Sequence, residues 1–337
     1  MDKLTIKTLA KELQLSVSTI SKALRDSHEI SAKTKKKVLA LAAKLNYTPN
    51  PYASSLRKRK SKTIGVVVPE VVNSFFSQSI NGIEAVAKAK GYHVLIYLTH
   101  ENFENEKAIL KDFESGRVDG VLLSVSRETG SSDHITGLIS QGVPVIFFDR
   151  VFNEVDTVKV ITNDFESAYM ATKHLLTSGS KNPHFLSILG NLNIISDRIG
   201  GYKKALEEHG IKFNKTNIIN CSTNWEYNYN TLLKKLKSAK KPDSILCSIE
   251  NLSIIIYKVC EDLKIKIPTD LQIISFSNLE IASFLNPPLT TITQPAYEIG
   301  QAAAATLIKA LEKKNFVISN ESIIIPSVLT IRKSTKN

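Results

Sequence analysis

Two sets of side chains in this sequence have the types and order to do chemistry. Neither set is suited to making or breaking covalent bonds. The first lies on a short helical stretch near the start of the chain. Val17, Ser18, Ser21, Lys22 and Arg25 fall on its outer side, small or hydroxyl-bearing at the helix start and cationic further along. Short side chains allow close approach to a major groove, hydroxyls bond phosphates or base edges, and a lysine reaches guanine acceptors. The second set is scattered through the rest of the chain. It comprises Asn73-Ser74-Phe75-Phe76, Asp149-Arg150, Arg198, Trp225 (the only tryptophan), Glu250-Asn251, Ser277-Asn278 and Gln294. Flat rings beside a few carboxylates, amides and guanidinium groups suit a sugar-like ligand, whose faces stack and whose hydroxyls bond in pairs. Taken singly, each residue has a plain structural use. Asp149 or Arg198 could serve an ion pair between lobes, Phe75 and Phe76 a core, and the first set an ordinary three-helix bundle. Their joint placement points to a groove reader and a cleft.

Other chemistries find little support. No nucleophile–base pair is legible, and the seven histidines are dispersed. His174 is expected on the buried side of a helix in a structural role. CxxC and HExxH are missing, which argues against zinc sites of those kinds. No GxGxxG follows the first strand and no GxxxxGK[ST] occurs, so nucleotide use is weakly supported. Cys221, Cys247 and Cys260 are too few and too scattered for a disulfide framework. No apolar run reaches the ~20 residues of a membrane helix. The N-terminus runs into an amphipathic pattern rather than a signal-peptide core, so a cytoplasmic protein with no cofactor, no metal and no enzymatic activity is expected.

The elements that must position these residues come in two styles. Residues 1–62 carry 15 lysines and arginines against four acids, a charge of +11. The remaining 275 residues carry 29 against 28, a charge of +1. A compact basic head on a neutral body implies a polyanion partner for the head alone. In the head, Thr5 caps a helix with Ile6, Leu9, Ala10 and Leu13 inward, and Gln14-Leu15 forms the turn. Ser16 caps the second helix, with Ile20, Ala23 and Leu24 inward. A third starts at Ser31 or Thr34 and buries Val38, Leu41, Ala42 and Leu45. Two helices joined by so short a turn make a helix-turn-helix. Asn50-Pro51 can start a further short helix. In that stretch Leu56 sits among cations with nothing obvious to bury it, as a minor-groove wedge requires; a flexible basic linker is the plainer alternative.

From Thr63 the pattern becomes strand then helix. Short β-branched runs such as Thr63–Pro69 alternate with helices expected at about 77–90, 105–114, 135–141, 166–178, 197–210, 227–239 and 252–263. Repeated βα units give parallel sheets covered by helices, with ligands at the carboxyl ends of the strands. Trp225 is expected in a loop before a helix and Arg198 at a helix start. Gln301–Leu311 is the candidate dimer helix.

Residues 4–60 resemble the DNA-binding headpiece of the lactose/galactose repressor family. The matching stretches are Thr5-Ile6-Lys7-Thr8-Leu9-Ala10, Ser16 through Leu24, Ile30 through Thr34, and Leu45 through Asn50. Residues 63 to about 333 resemble the periplasmic sugar-binding-protein fold used as the effector domain of that family. The resemblance implies an all-α helix-turn-helix headpiece (1–49), a hinge (50–62) and an α/β body of two doubly wound parallel-sheet subdomains, 63–164 with 293–325 and 165–292 with 326–337. It implies that Val17, Ser18 and Lys22 read bases, while Thr19, Ser21, Tyr47 and Asn50 steady the backbone. Thr5, Ser16 and Ala53 join these contacts, and Leu56 of two subunits opens a central base step. The expected partners are palindromic operator DNA, a second copy of the chain and a sugar-like effector. Asn73, Phe75, Phe76, Asp149, Arg150, Arg198, Trp225 and Gln294 match ligand-lining positions. The chain departs from the family at three places. Gln14 stands where the turn usually has Gly, Glu250-Asn251 where Asn-Asp is usual, and Ser277 where an Asp follows Phe. The last removes a carboxylate expected to grip sugar hydroxyls. Either Glu250 replaces it or the effector is a modified sugar. A cleft that meets a protein or nothing, and an enzyme or transport-type sugar binder with an appended basic head, are the alternative readings.

Overall fold

A computed structural model describes residues 5–47, 61–190, 192–313 and 319–336. The chain divides into two compact units, Met1–Ser61 and Lys62–Asn337.

In the first unit, α1 (Ile6–Leu13), α2 (Val17–Leu24) and α3 (Ala32–Lys44) follow from their caps and stripes. Gln14 ends α1 in the left-handed region, at φ 51° and ψ 39°. That conformation costs a side-chain-bearing residue about 1 kcal/mol. Ser16 Oγ accepts the Thr19 amide at 3.1 Å, and Ser31 Oγ accepts that of Thr34 at 3.2 Å. Leu9, Ala10, Ile20, Ala23, Val38 and Ala42 form the buried centre. Leu45 is not part of it. The chain reverses at Asn46 (φ 50°), the Tyr47 amide bonds the Ala42 carbonyl at 2.8 Å, and Tyr47 packs there instead.

The second unit holds two six-stranded sheets. The first contains β1 (Thr63–Val68), β2 (His93–Leu98), β3 (Gly120–Leu123), β4 (Val145–Phe148), β5 (Lys159–Ile161) and β11 (Ser322–Ile324), in the order β11-β5-β4-β3-β1-β2. All its pairings are parallel, with Val66 opposite Leu122 and Ile96. The second contains β6 (Pro183–Ile188), β7 (Ile218–Cys221), β8 (Ser244–Cys247), β9 (Gln272–Phe276), β10 (Thr290–Thr293) and β12 (Val328–Thr330), in the order β12-β10-β9-β8-β6-β7. Here β12 runs antiparallel to β10, against the all-parallel expectation: the chain enters it from β11 of the other sheet, not from a further βα unit of its own lobe.

The covering helices are α4 (Ser74–Ala89), α5 (Phe103–Phe113), α6 (Asp133–Ser140), α7 (Asp164–Thr177), α8 (Asn193–Glu208), α9 (Trp225–Lys237), α10 (Glu250–Leu263) and α11 (Ala296–Glu312). Seven of them begin two to four residues before the expected starts. Three of these early starts have a visible cause in asparagine side chains that cap from the loop. Asn73, Asn102 and Asn224 accept the amides of Phe75, Asn105 and Tyr227 at 2.9, 2.9 and 2.8 Å. Trp225 is therefore the first residue of α9 rather than a loop residue, and Arg198 lies over a turn inside α8.

The candidate dimer helix Gln301–Leu311 lies within α11. Ala303, Ala304, Leu307 and Ile308 of α11 are buried in the core of the first lobe, so its apolar face is spent internally. The closeness of α11 to α4 depends on Gly82 and Gly300. A Cβ at either would collide with the backbone carbonyl of Tyr297 or Ser79. The chain passes between the lobes three times: after β5, after β10 and after β11.

Candidate ligand cleft and nucleic-acid face

The carboxyl ends of both sheets converge on a small hollow of about 30 Å³. Nine of the ten expected ligand residues line it. Asn73, Phe75, Phe76, Asp149 and Arg150 come from the first lobe's strand ends and α4. Arg198, Glu250, Ser277 and Gln294 come from the second lobe and the crossing after β10. Phe75 and Phe76 meet edge to face at 5.5 Å and belong to the lobe core as well as lining the hollow.

Each charged group is held by named partners. Arg198, 2% exposed, donates from Nε to Asp164 Oδ1 at 2.6 Å and from Nη1 to the Ser248 carbonyl at 2.5 Å. Its guanidinium lies 3.8 Å from the centre of the Phe276 ring. The Arg198 pairing thus joins the adjacent helices α7 and α8. Arg150 donates to Glu101 Oε1 at 2.8 Å and lies over the Phe76 ring. Asp149 occupies a left-handed backbone position, φ 60°. Burial pushes its carboxyl up to about 6, with Arg150 opposing the shift and Asp164 adding to it. The buried Gln294 side chain faces the Asp149 carboxyl and also opposes the shift.

Glu250, the departure noted in the sequence, spans the cleft. Its Oε1 accepts the Ser74 amide at 2.8 Å, at the start of α4 in the other lobe. Its Oε2 accepts the Asn278 amide at 3.1 Å, beside Ser277. The carboxylate thus stands near the place left by Ser277, with lone pairs remaining for a hydroxyl. Gln78 and Asn278 add two more bonds between lobes, at 2.9 and 3.2 Å.

Trp225 does not line this hollow. It lines an adjoining cavity of about 390 Å³ that shares Asn73, Arg150, Ile194 and Ile249 with it. The indole stacks on Tyr229 at 5.1 Å and 14°. Asn278, named with Ser277 in the sequence, lines the hollow, while Glu70, Glu101 and Arg127 line the larger cavity and were left out by sequence reasoning. Glu101 carries no apolar or aromatic neighbour pattern, and only its fold-dependent contact with Arg150 reveals it.

On the headpiece, Ser16, Val17 and Ser18 are exposed at the start of α2, and Val17 is 42% exposed. Ser16 Oγ lies 2.9 Å from both the Ser18 and Thr19 hydroxyls. Lys22 is ion-paired with Glu29, a partner that pattern reading missed. Arg25 donates to the Ser21 carbonyl and hydroxyl, both at 3.0 Å. Thr5 is exposed and its amide bonds Thr8 Oγ1 at 3.3 Å. Tyr47 is half-buried, and burial raises its phenol. Asn50, Ala53 and Leu56 lie outside the described residues.

His174 bonds Thr335 at 3.0 Å, and burial lowers its basicity, in keeping with a structural role. The three cysteines are buried and unpaired with one another. Among the described residues no helix is long and apolar enough to cross a membrane, and no cluster of three His, Cys, Asp or Glu could hold a metal ion.

Residues 61–333 match the family model of periplasmic binding proteins and the sugar binding domain of the LacI family. Residues 5–50 match that of bacterial regulatory proteins, lacI family. The chain is 28% identical to catabolite control protein A of Priestia megaterium over 98% of its own length and 99% of that protein's. It is 31% identical to the ribose operon repressor of Haemophilus influenzae, over 92% and 93% of the two chains. It superimposes on the lac repressor, in a dimer bound to operator and the anti-inducer ONPF, with a TM-score of 0.85. That match covers all of both chains at 21% identity and shows the shared fold.

Proposed function

The chain belongs to the LacI family of bacterial regulatory proteins, and on that premise we propose the working parts of this regulator. One headpiece (1–49) covers a half-site of duplex DNA, with Val17, Ser18 and Lys22 toward base edges and Thr5, Ser16, Thr19, Ser21 and Tyr47 toward the backbone. The linker 50–62, with Asn50, Ala53 and Leu56, joins it to the body. Residues 63–164 with 293–325, and 165–292 with 326–337, form the two subdomains. A sugar-like effector binds between them, against Asp149, Arg198, Glu250 and Gln294.

One observation carries this reading: residues far apart in sequence, from both lobes, gather at one hollow on the carboxyl ends of both sheets. That is where parallel α/β folds bind ligands. An effector that prefers one arrangement of the lobes shifts the equilibrium by no more than that preference. The site holds hydrogen-bonding groups rather than a nucleophile with its base, so the protein is read as a binder and not an enzyme. Its DNA target places it in the cytoplasm.

A homodimer matches a palindromic target, with half-sites about one helical turn apart. With α11 spent on the core, the contact is assigned to exposed apolar side chains elsewhere, among them Phe284, 84% exposed, and Ile281, 54% exposed.

The test is selection of bound duplexes from a random pool, repeated with candidate sugars and followed by a thermal-shift screen. A palindromic consensus whose retention changes with one sugar supports the proposal. A consensus that no sugar alters, with no thermal shift, supports the second reading, in which the cross-cleft bonds of Glu250 and Gln78 serve a body that takes no small molecule.

A further inference from the structure

The near-zero charge of the body conceals a division. Residues 63–164 with 293–325 carry 11 lysines and arginines against 17 acids, whereas residues 165–292 with 326–337 carry 18 against 11. Charge that serves only solubility mixes both signs over the whole surface. Here the first lobe is acidic and the second is basic.

Much of the second lobe's excess gathers at one edge. Strands β8, β6 and β7 are consecutive neighbours and start nearly level, with Pro183 opposite Ser244 and Phe185 opposite Ile218. The segments that enter them carry Lys240 and Lys241, Lys181, and Lys212 and Lys215, all exposed. Neighbouring strands lie about 4.8 Å apart, so these five lysines form one ridge. Its parts are tied together. Asn182 Nδ2 donates to the Lys241 carbonyl at 3.0 Å, and Lys235, in the last turn of α9, donates to the Thr216 carbonyl at 3.5 Å. Asp243, beside the ridge, is spent on the backbone: it accepts the Lys181 and Asn182 amides at 2.6 and 3.0 Å. Lys203 and Lys204 of α8 pair with Glu207 and Glu208, but the five ridge lysines make no ion pair among the described residues. A helix dipole accounts for the cations that end α9. It does not reach the five, which lie outside any α-helix.

The ridge lacks what other partners need. None of the large apolar side chains exposed on the body lies within residues 205–217 or 230–243. Protein interfaces are depleted in lysine and depend on aromatic anchors, and single strands need rings to stack on. A duplex needs only cations against its phosphates. We propose that this edge of the second lobe is a further duplex-binding surface, which holds the phosphates of a DNA segment other than the one the headpiece reads, without regard to sequence. The hollow lies at the carboxyl ends of the strands, so a segment held at their entry touches no residue that lines it. Once the headpiece holds its site, other segments of the same DNA molecule are at high local concentration, and weak contacts suffice.

In the test, the full chain is first bound to an immobilised short duplex carrying the selected palindrome. A labelled random-sequence duplex is then offered, with poly-L-glutamate and phosphatidylserine vesicles in parallel. One variant combines Lys215→Gln, Lys240→Gln and Lys241→Gln. A control of equal charge combines Lys88→Gln, Lys90→Gln and Lys111→Gln, at exposed positions of the first lobe. All three proteins should hold the immobilised site equally. The parent and the control should capture the labelled duplex, and the ridge variant should capture it about tenfold more weakly at low salt. Each lost phosphate contact removes about 0.9 from the slope of log affinity against log salt, so the ridge variant's slope should be shallower by roughly 2.7. No capture by the parent, undiminished capture by the ridge variant, equal losses in both variants, or stronger capture of the glutamate polymer or the vesicles than of the duplex would overturn the proposal.

Discussion

The headpiece and the body put their working groups in opposite places. In the headpiece the groups lie on the outside of a minimal core, among a large excess of positive charge. In the body they lie inside, where loops from two sheets meet, and the charge nearly cancels. The ion pairs of the two regions differ accordingly. Lys22 and Glu29 keep 40% and 52% of their side chains in water, and exposed pairs contribute only about 0–1 kcal/mol. Such a pair is readily exchanged for a phosphate or a guanine. Arg198 and Asp164 keep 2% and 4% exposed, and removing one partner of a buried pair costs about 3–5 kcal/mol. The headpiece can trade partners; the body's inner charges hold their positions and must be met by a ligand that fits.

The largest expected effect tests the buried side of that contrast. Arg198→Ala should destabilise the body by about 3–5 kcal/mol, read as a lower melting transition, and should abolish any effector response. The headpiece's affinity for DNA below that transition should be unchanged. An unaltered melting curve would mean that the Asp164 pair is not under load.

Next, Lys22→Ala should cost about 1–3 kcal/mol of binding to the selected site and relax its sequence preference. Equal losses on selected and random duplexes would reduce Lys22 to a phosphate contact.

Asp149 allows a test by pH. Its folded-state value of about 6 lies above the ordinary 3.8, so the folded chain holds this proton more tightly than the unfolded one. The stabilisation is fully present below about 3.8 and is lost as pH rises through about 6. Comparing melting temperatures across this range, Asp149→Asn should lose ground to the parent as pH falls below 6 and gain on it above. Parallel curves would show that burial does not hold the proton.

The smallest effect belongs to Glu29→Gln. Freeing Lys22 should tighten DNA binding by no more than about 1 kcal/mol, in a salt-dependent way. A loss of affinity would mean that the pair orients Lys22 rather than restrains it.

The same contrast governs what could be read from residue order. Helix α2 was legible because its cap and its inward residues, Ser16, Ile20 and Ala23, lie within eight positions. The turn at Gln14-Leu15 was legible because two amphipathic patterns break there. The strand–helix alternation was equally local. Helix starts were not, because Asn73, Asn102 and Asn224 look like loop residues until their side chains are seen capping. β12 was not, because three residues carry too little pattern to state a direction. The Lys22–Glu29 pair and the Glu250 bridge join residues on different elements, and no periodicity connects them. At the cleft, residue types and strand-end positions could be read, but which of two adjoining cavities each side chain lines could not. Trp225 shows this: its type suits the ligand, while its place on α9 puts it at the larger cavity.

The threefold crossing between lobes has a consequence for how the protein is made. Helix α11 and strand β11 complete the lobe whose synthesis starts first, yet they are encoded after nearly all of the other lobe. On the ribosome, the earlier half of the body must wait, with the surface meant for α11 uncovered, until the later half has emerged. A premature stop just beyond β10 would spare most of the late-made half and leave the early-made half without its closing helix, an easy substrate for proteolysis.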